Sequence, residues 1–134
     1  DVLSKVQKAD CTVLLQPTSP LRHYKHIDKA YELHKSKGPK STVSITTCAG
    51  DEAWFAFSDN DYRICKDDVQ LVKNAGKVPV KPNGAVYIVE TSVFCREKEF
   101  FYDDSIGYMM DEIDSIDIDT EDDWNAALRA FDGG

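Results

Sequence analysis

No apolar run among the 134 residues reaches the roughly 18 that a membrane-crossing helix needs. No charged N-terminal stretch leads into an apolar one either, so a secretory leader is not expected. Cysteine is sparse. The four, Cys11, Cys48, Cys65 and Cys95, form no CxxC pair, which excludes a disulfide framework or a zinc ribbon. They read as free, mostly buried thiols in a reducing compartment, and the expected location is the cytoplasm. The chain also lacks a GxGxxG or Walker-type glycine loop, an HExxH helix and a Ser/His/Asp elbow. Basic residues are scarce toward the end: 103–134 hold only Arg129 against 11 acids, whereas 1–102 hold 15 Lys/Arg and 13 Asp/Glu, for a net charge of -8 overall. Nucleic-acid binding rests on Lys and Arg neutralising phosphates, so it is not expected here. What is present, 42% hydrophobic, 10% aromatic and 30% charged residues with a mean hydropathy of -0.43, describes an ordinary globular domain with a single core.

The run Cys11–Leu15 is short, apolar and β-branched and ends at Pro17 and Pro20, which predicts a buried strand leading into a fixed loop. After Arg22, Tyr24, Ile27, Tyr31 and Leu33 or His34 recur at helical spacing until Gly38-Pro39. Residues 42–48 (TVSITTC) form a second strand. A helix between two strands implies a right-handed βαβ crossover and an α/β fold. From Asp51 to Pro82 the aromatics Trp54, Phe55 and Phe57, then Ile64 and 69–72, are separated by turn-forming acids. This predicts short antiparallel strands or a protruding flap that packs on its own core or on a second subunit. AVYIV (85–89) is a strand, 91–99 a short helix and 106–110 a further strand. Thr120 followed by Glu121, Asp122 and Asp123 opens a last helix whose apolar stripe is Trp124, Ala127, Leu128 and Phe131.

Three segments carry candidate chemistry. In an extended chain, Asp117 and Asp119 share one face while Ile116 and Ile118 share the other. Such a pair either takes Mg²⁺, which needs only one or two protein carboxylates, or supplies the cap of the following helix. In Gln16-Pro17-Thr18-Ser19-Pro20-Leu21-Arg22, beyond a strand's end, the amide of Gln16, the hydroxyl of Ser19 and the guanidinium of Arg22 can hold a polar substrate. Alternatively the loop is a rigid connection in which Ser19 caps the next helix. Asn83-Gly84 makes a turn or contributes to a site. His23, His26 and His34 read as surface residues of one helix.

Taken in order, LLQPTSPLR (14–22), PNGAVYI (82–88) and DSIDIDTEDD (114–123) resemble the acylneuraminate cytidylyltransferase family, which includes the CMP-sialic acid synthetases, from about Cys11 to Phe131. The resemblance implies a three-layer αβα, Rossmann-like mixed sheet of the nucleotide-diphospho-sugar transferase type. The family's opening strand and its basic, glycine-containing loop have no counterpart, so the domain is expected to be truncated at its N-terminus; it begins at Asp1, not Met. The resemblance further implies a dimer in which a flap, at about 51–82, reaches the partner's site. In the intact enzyme, CTP and Mg²⁺ would activate an acidic 2-keto sugar, its anomeric hydroxyl attacking the α-phosphorus in line with release of pyrophosphate. Asp117 and Asp119 match the family's metal-binding aspartates, Gln16 a residue lining the sugar pocket, and Asn83 and Tyr87 positions near sugar and nucleotide. Arg22 is shared. A family arginine falls on Lys73, where lysine lacks the planar fork. The expectation is the C-terminal portion of a sugar-acid cytidylyltransferase, incomplete and inactive alone. The alternative is a non-catalytic relative that binds an acidic sugar or only dimerises.

Overall fold

A computed structural model describes residues 9–48, 54–57, 62–65 and 77–133. Its elements, in chain order, are β1 (Cys11–Leu14), α1 (Tyr24–Lys37), β2 (Ser41–Thr47), β3 (Trp54–Phe57), β4 (Tyr62–Cys65), β5 (Lys77–Glu90), α2 (Thr91–Glu97), β6 (Ile106–Met109) and α3 (Glu121–Gly133). The strands form one mixed six-stranded sheet in the order β1-β5-β2-β6-β4-β3, with β3 also pairing to the first part of β5. The fold is therefore α/β, as expected. β1 and β2 are both antiparallel to β5 and so parallel to each other, with β5 between them; β2 and β6 pair in parallel.

The anticipated Asn83-Gly84 turn is instead a break inside one long strand. Between the pairs Val43↔Tyr87 and Ile45↔Pro82 a single residue of β2, Ser44, faces four of β5, residues 83–86. Gly84 takes φ 74° there, a left-handed conformation that glycine adopts without steric cost.

Each face of the sheet carries one apolar cluster, because successive strand side chains point opposite ways. Ala85, Val86, Ile88 and Met110 pack against Ala30 and Ile27 of α1. On the other face, Val43, Ile45, Ile64 and Val80 meet Tyr87 and Phe101. Helix α1 is opened by a reciprocal pair: His23 Nδ1 accepts from Lys25 N at 3.3 Å, and His26 Nδ1 accepts from His23 N at 2.8 Å. Gly38, at φ 66°, closes it by donating to His34 O. Ser19 is thus not the cap. It lies too far ahead of the helix, in a turn closed by Arg22 N on Ser19 O.

Four expectations about burial are corrected. β1 is an edge strand, covered on one side only by β5, and Val13, Leu14 and Leu15 are exposed. The inward face of α1 is Ile27, Ala30 and His34; Tyr24 and Tyr31 flank it and stay exposed. On α3 only Ala127 is buried, while Trp124, Leu128 and Phe131 are exposed. Cys95 is exposed on α2, and Cys11 and Cys48 are half-buried. Residues 69–72 and Lys73 lie outside the described residues, as do the side chains of Trp54, Phe55 and Phe57. β3 and β4 are antiparallel strands attached to the sheet through β5 and β6.

Nor are all the histidines on the surface. His34 is buried and shares a 2.9 Å hydrogen bond with Thr42 Oγ1. Burial lowers its pKa, against a smaller raising effect of Glu90 and Asp104. A lowered native pKa means that the unfolded chain binds the proton first. Stability should therefore be intact above the unfolded histidine value of roughly 6.5 and should fall as pH drops below it. Melting curves between pH 8 and pH 5 check this, and His34→Gln should flatten the decline.

Candidate active site

The three motif segments, far apart in sequence, meet at the break in β5. Arg22 donates from Nη1 to Gln16 O at 2.9 Å and to Ala85 O at 3.0 Å, fastening the loop 16–22 to β5. The Gln16 side chain lies directly over Gly84, where any β-carbon would strike Oε1. Ile118 N donates to Thr18 O at 2.9 Å, joining the same loop to the acidic segment. Asn83 Nδ2 donates to Ser115 Oγ at 2.9 Å, completing the triangle.

The acidic segment is held on several sides. Ser115 N bonds to Asp111 O at 3.0 Å, and His26 Nε2 lies 3.2 Å from Asp114 Oδ2. Since His26 Nδ1 accepts from a backbone N–H, its proton sits on Nε2, facing Asp114. The following helix is capped by other residues than the paired acids. Asp123 N donates to Thr120 Oγ1 at 3.2 Å, and Asp123 Oδ2 accepts from the N–H groups of Thr120 at 3.0 Å and Asp119 at 3.1 Å. Those bonds hold the Asp123 carboxyl below the usual carboxylate range, with a smaller contribution from the charge of Lys81. The carboxylates of Asp117 and Asp119 are left free of capping. Asp119 is exposed; Asp117 is half-buried, and its Oδ1 is buried without a hydrogen-bond partner among the described residues.

Both acids line a cleft of about 590 Å³ bounded by the end of β2, β5 before its break, and the start of α3. Its floor comes from beyond the carboxyl ends of the parallel pair β2 and β6, the usual place for ligands in open α/β sheets. The sequence reading did not single out Thr46 or Lys81, which face each other across β2 and β5 and also line the cleft. Thr46 Oγ1 is likewise buried and unpartnered. Among the described lining residues Lys81 is the one cation, set against Glu112, Asp117, Asp119 and Asp123. No group of three or more His, Cys, Asp or Glu among the described residues is arranged to hold a metal by itself. Two hard carboxylates, one with an oxygen that no described residue satisfies, do fit Mg²⁺, whose remaining positions go to water and phosphate.

The other candidate residues have distinct surroundings. The Asn83 amide is engaged entirely within the protein, as set out below. Ser19 is buried with its hydroxyl unpartnered. Tyr87 stands against Phe100 and Phe101, at ring-centroid distances of 5.2 and 6.1 Å. Burial raises its phenol pKa, and the charge of Asp117 raises it further, so the Tyr87 ring lies within electrostatic reach of Asp117. Phe100 and Phe101, in the loop after α2, carried no sequence signal of their own.

The arrangement defines an α/β protein with an acidic cleft at the carboxyl ends of parallel strands, assembled from three separated motifs. No protein-family model matches the chain. Over nearly its full length the chain is similar to three curated proteins. It is 33% identical to the CMP-N,N'-diacetyllegionaminic acid synthase of Legionella pneumophila over 133 aligned positions, covering 92% of this chain and 56% of the relative. It is 35% identical to the N-acylneuraminate cytidylyltransferase of Streptococcus agalactiae, covering 92% of this chain and 31% of that protein. A protein of the same name from Escherichia coli O18:K1:H7 is 31% identical, covering 86% of this chain and 28% of the relative. The chain thus spans about half the length of one relative and less than a third of the others.

Proposed function

We propose that this chain supplies the metal-binding and sugar-facing half of a CTP-dependent cytidylyltransferase acting on an acidic 2-keto sugar of the N-acylneuraminate or legionaminate kind. The observation that carries the reading is the buried, unpartnered Oδ1 of Asp117 beside the free carboxylate of Asp119, in a cleft where all three motifs converge. Asp117 and Asp119 would hold Mg²⁺, which when bound offsets phosphate charge. Lys81 is placed to pair with the carboxylate of the sugar acid, and Thr46 Oγ1 offers a hydroxyl for its polar edge. The aromatic wall of Tyr87, Phe100 and Phe101 supplies an apolar surface nearby. In this reading Arg22 acts on the fold, by fixing the loop that carries Gln16, and not on the ligand.

The test combines calorimetric titration of N-acetylneuraminate, with and without Mg²⁺, and measurement of pyrophosphate released from CTP when all three are present. Metal-dependent binding of the sugar acid is expected. It should weaken by about tenfold in Lys81→Met, the scale of one hydrogen bond to a charged group. Absence of both binding and release under all of these conditions would overturn the proposal.

A further inference from the structure

Asn83 sits at the edge of the cleft, yet every hydrogen-bonding position of its amide is used inside the protein. Oδ1 accepts from Ala85 N at 3.0 Å and from Ser44 Oγ. Nδ2 donates to Ser115 Oγ at 2.9 Å and approaches Met110 Sδ at 3.4 Å. Two donors converge on Oδ1, so the orientation of the amide is fixed. Ser44 Oγ is itself set by Val86 N, 2.8 Å away, and Ser115 Oγ passes its proton on to Asp111 O at 2.6 Å. All four residues contributing side chains or lying between them, Ser44, Asn83, Met110 and Ser115, are buried.

The result is a one-directional chain of hydrogen bonds, Ser44 to Asn83 to Ser115 to the carbonyl of Asp111. It begins on β2, crosses β5 at its break and ends in the loop that presents Asp117, two residues after Ser115. Both ends of the chain are rigid strand backbone or a closed turn. The acid it leads to has no hydrogen bond on Oδ1 from any of the described residues. Something other than direct contact must therefore set where that oxygen points.

We propose that Asn83 and Ser115 are positioning residues: through this chain they fix the 111–117 loop so that the Asp117 carboxylate is presented to a divalent cation, and Asn83 does not itself contact the ligand. The inference rests on reading Asp117 as a metal ligand. It differs from that reading in assigning the geometry of the site to neutral side chains outside the cation's reach. Met110, though within contact distance of the amide, is the weakest member, because a thioether is a poor acceptor.

The experiment is Mn²⁺ binding by the whole chain, followed by electron paramagnetic resonance, in the unchanged protein and in five variants. Asp117→Asn should lose binding. Ser115→Ala removes the relay's last donor, and Asn83→Asp keeps the shape while replacing the donor to Ser115 with an acceptor. Each should weaken binding by about tenfold or more, the usual cost of disturbing a partner outside the metal's own ligands. Ser115→Thr retains the hydroxyl and should bind within about threefold of the unchanged chain. Ile88→Val, a core change off the relay with a destabilisation of about 1 kcal/mol, should leave Mn²⁺ affinity unchanged, which separates positioning from general loosening.

If Ser115→Ala fails to fold, Ser44→Ala, the link farthest from the cleft, is judged in its place and should still weaken binding. If Asp117→Asn loses binding while Ser115→Ala and Asn83→Asp bind as the unchanged protein does, the relay is overturned and the metal reading stands. If the unchanged chain binds no Mn²⁺, or Asp117→Asn binds it equally, both fall.

Discussion

Asp117→Asn should remove divalent-cation binding and at the same time make the metal-free chain more resistant to heat. The two effects have one origin. Asp117 places a carboxylate oxygen out of solvent with no partner among the described residues, and Glu112, Asp119 and Asp123 line the same cleft. Burying a charge without a partner is unfavourable, and neighbouring charges of the same sign add to the cost. An amide of the same shape removes the charge and adds donors. The loss of Mn²⁺ affinity should exceed the roughly 10–100-fold that accompanies loss of an outer-shell partner. Calorimetric titration and a melting curve on the same sample give both numbers. Had Asp117 been a helix cap, the substitution would leave stability almost unchanged, because asparagine caps as well as aspartate; Thr120 and Asp123 already occupy that role. A drop in melting temperature with unchanged metal binding would sink the assignment.

The second large effect is expected at Gly84. Alanine there meets two penalties. Its backbone must hold φ 74°, and its β-carbon would collide with the Gln16 side chain. A left-handed conformation costs a non-glycine residue about 1–2 kcal/mol. Overpacking adds about 1–3 kcal/mol. Together they predict a loss of roughly 3 kcal/mol, or about 10 °C in Tm for a chain of this size. Relief should come from Gln16→Gly, which empties the space but leaves the backbone penalty. A double-mutant cycle of Gly84→Ala with Gln16→Gly should therefore return about half of the loss. Full additivity of the two changes would show that the Gln16 side chain is not seated over β5.

Much of this could be read before any coordinates. α1, β2, α2 and β6 fall close to where periodicity and punctuation put them, because Gly38-Pro39 and the β-branched run 41–47 are strong local signals. Exposure was less legible. The apolar letters of Val13, Leu14 and Leu15 suggested an interior strand, yet whether a strand is central or at an edge depends on neighbours that its own sequence does not contain. His34 reads as a helix-surface residue until Thr42, eight positions away, is seen to satisfy it. The acidic pair was visible as a pattern, but the choice between cap and cation turned on Thr120 and Asp123, whose hydrogen bonds exist only in three dimensions.

Lys81 was missed for a different reason, one that lies in β5 itself. Strict alternation counted back from Tyr87 assigns odd-numbered residues to one side of the sheet, which would put Lys81 on the same face as Tyr87. Val80 and Tyr87 nevertheless share an apolar cluster, and Lys81 pairs with Thr46 over the cleft. The irregularity at 83–86 thus acts like a frameshift in side-chain parity: even positions before it play the part that odd positions play after it. Substitutions within the strand alter one contact at a time. Deleting or inserting a single residue between Pro82 and Tyr87 while the break keeps its shape would transpose the inner and outer residues of one whole half of β5.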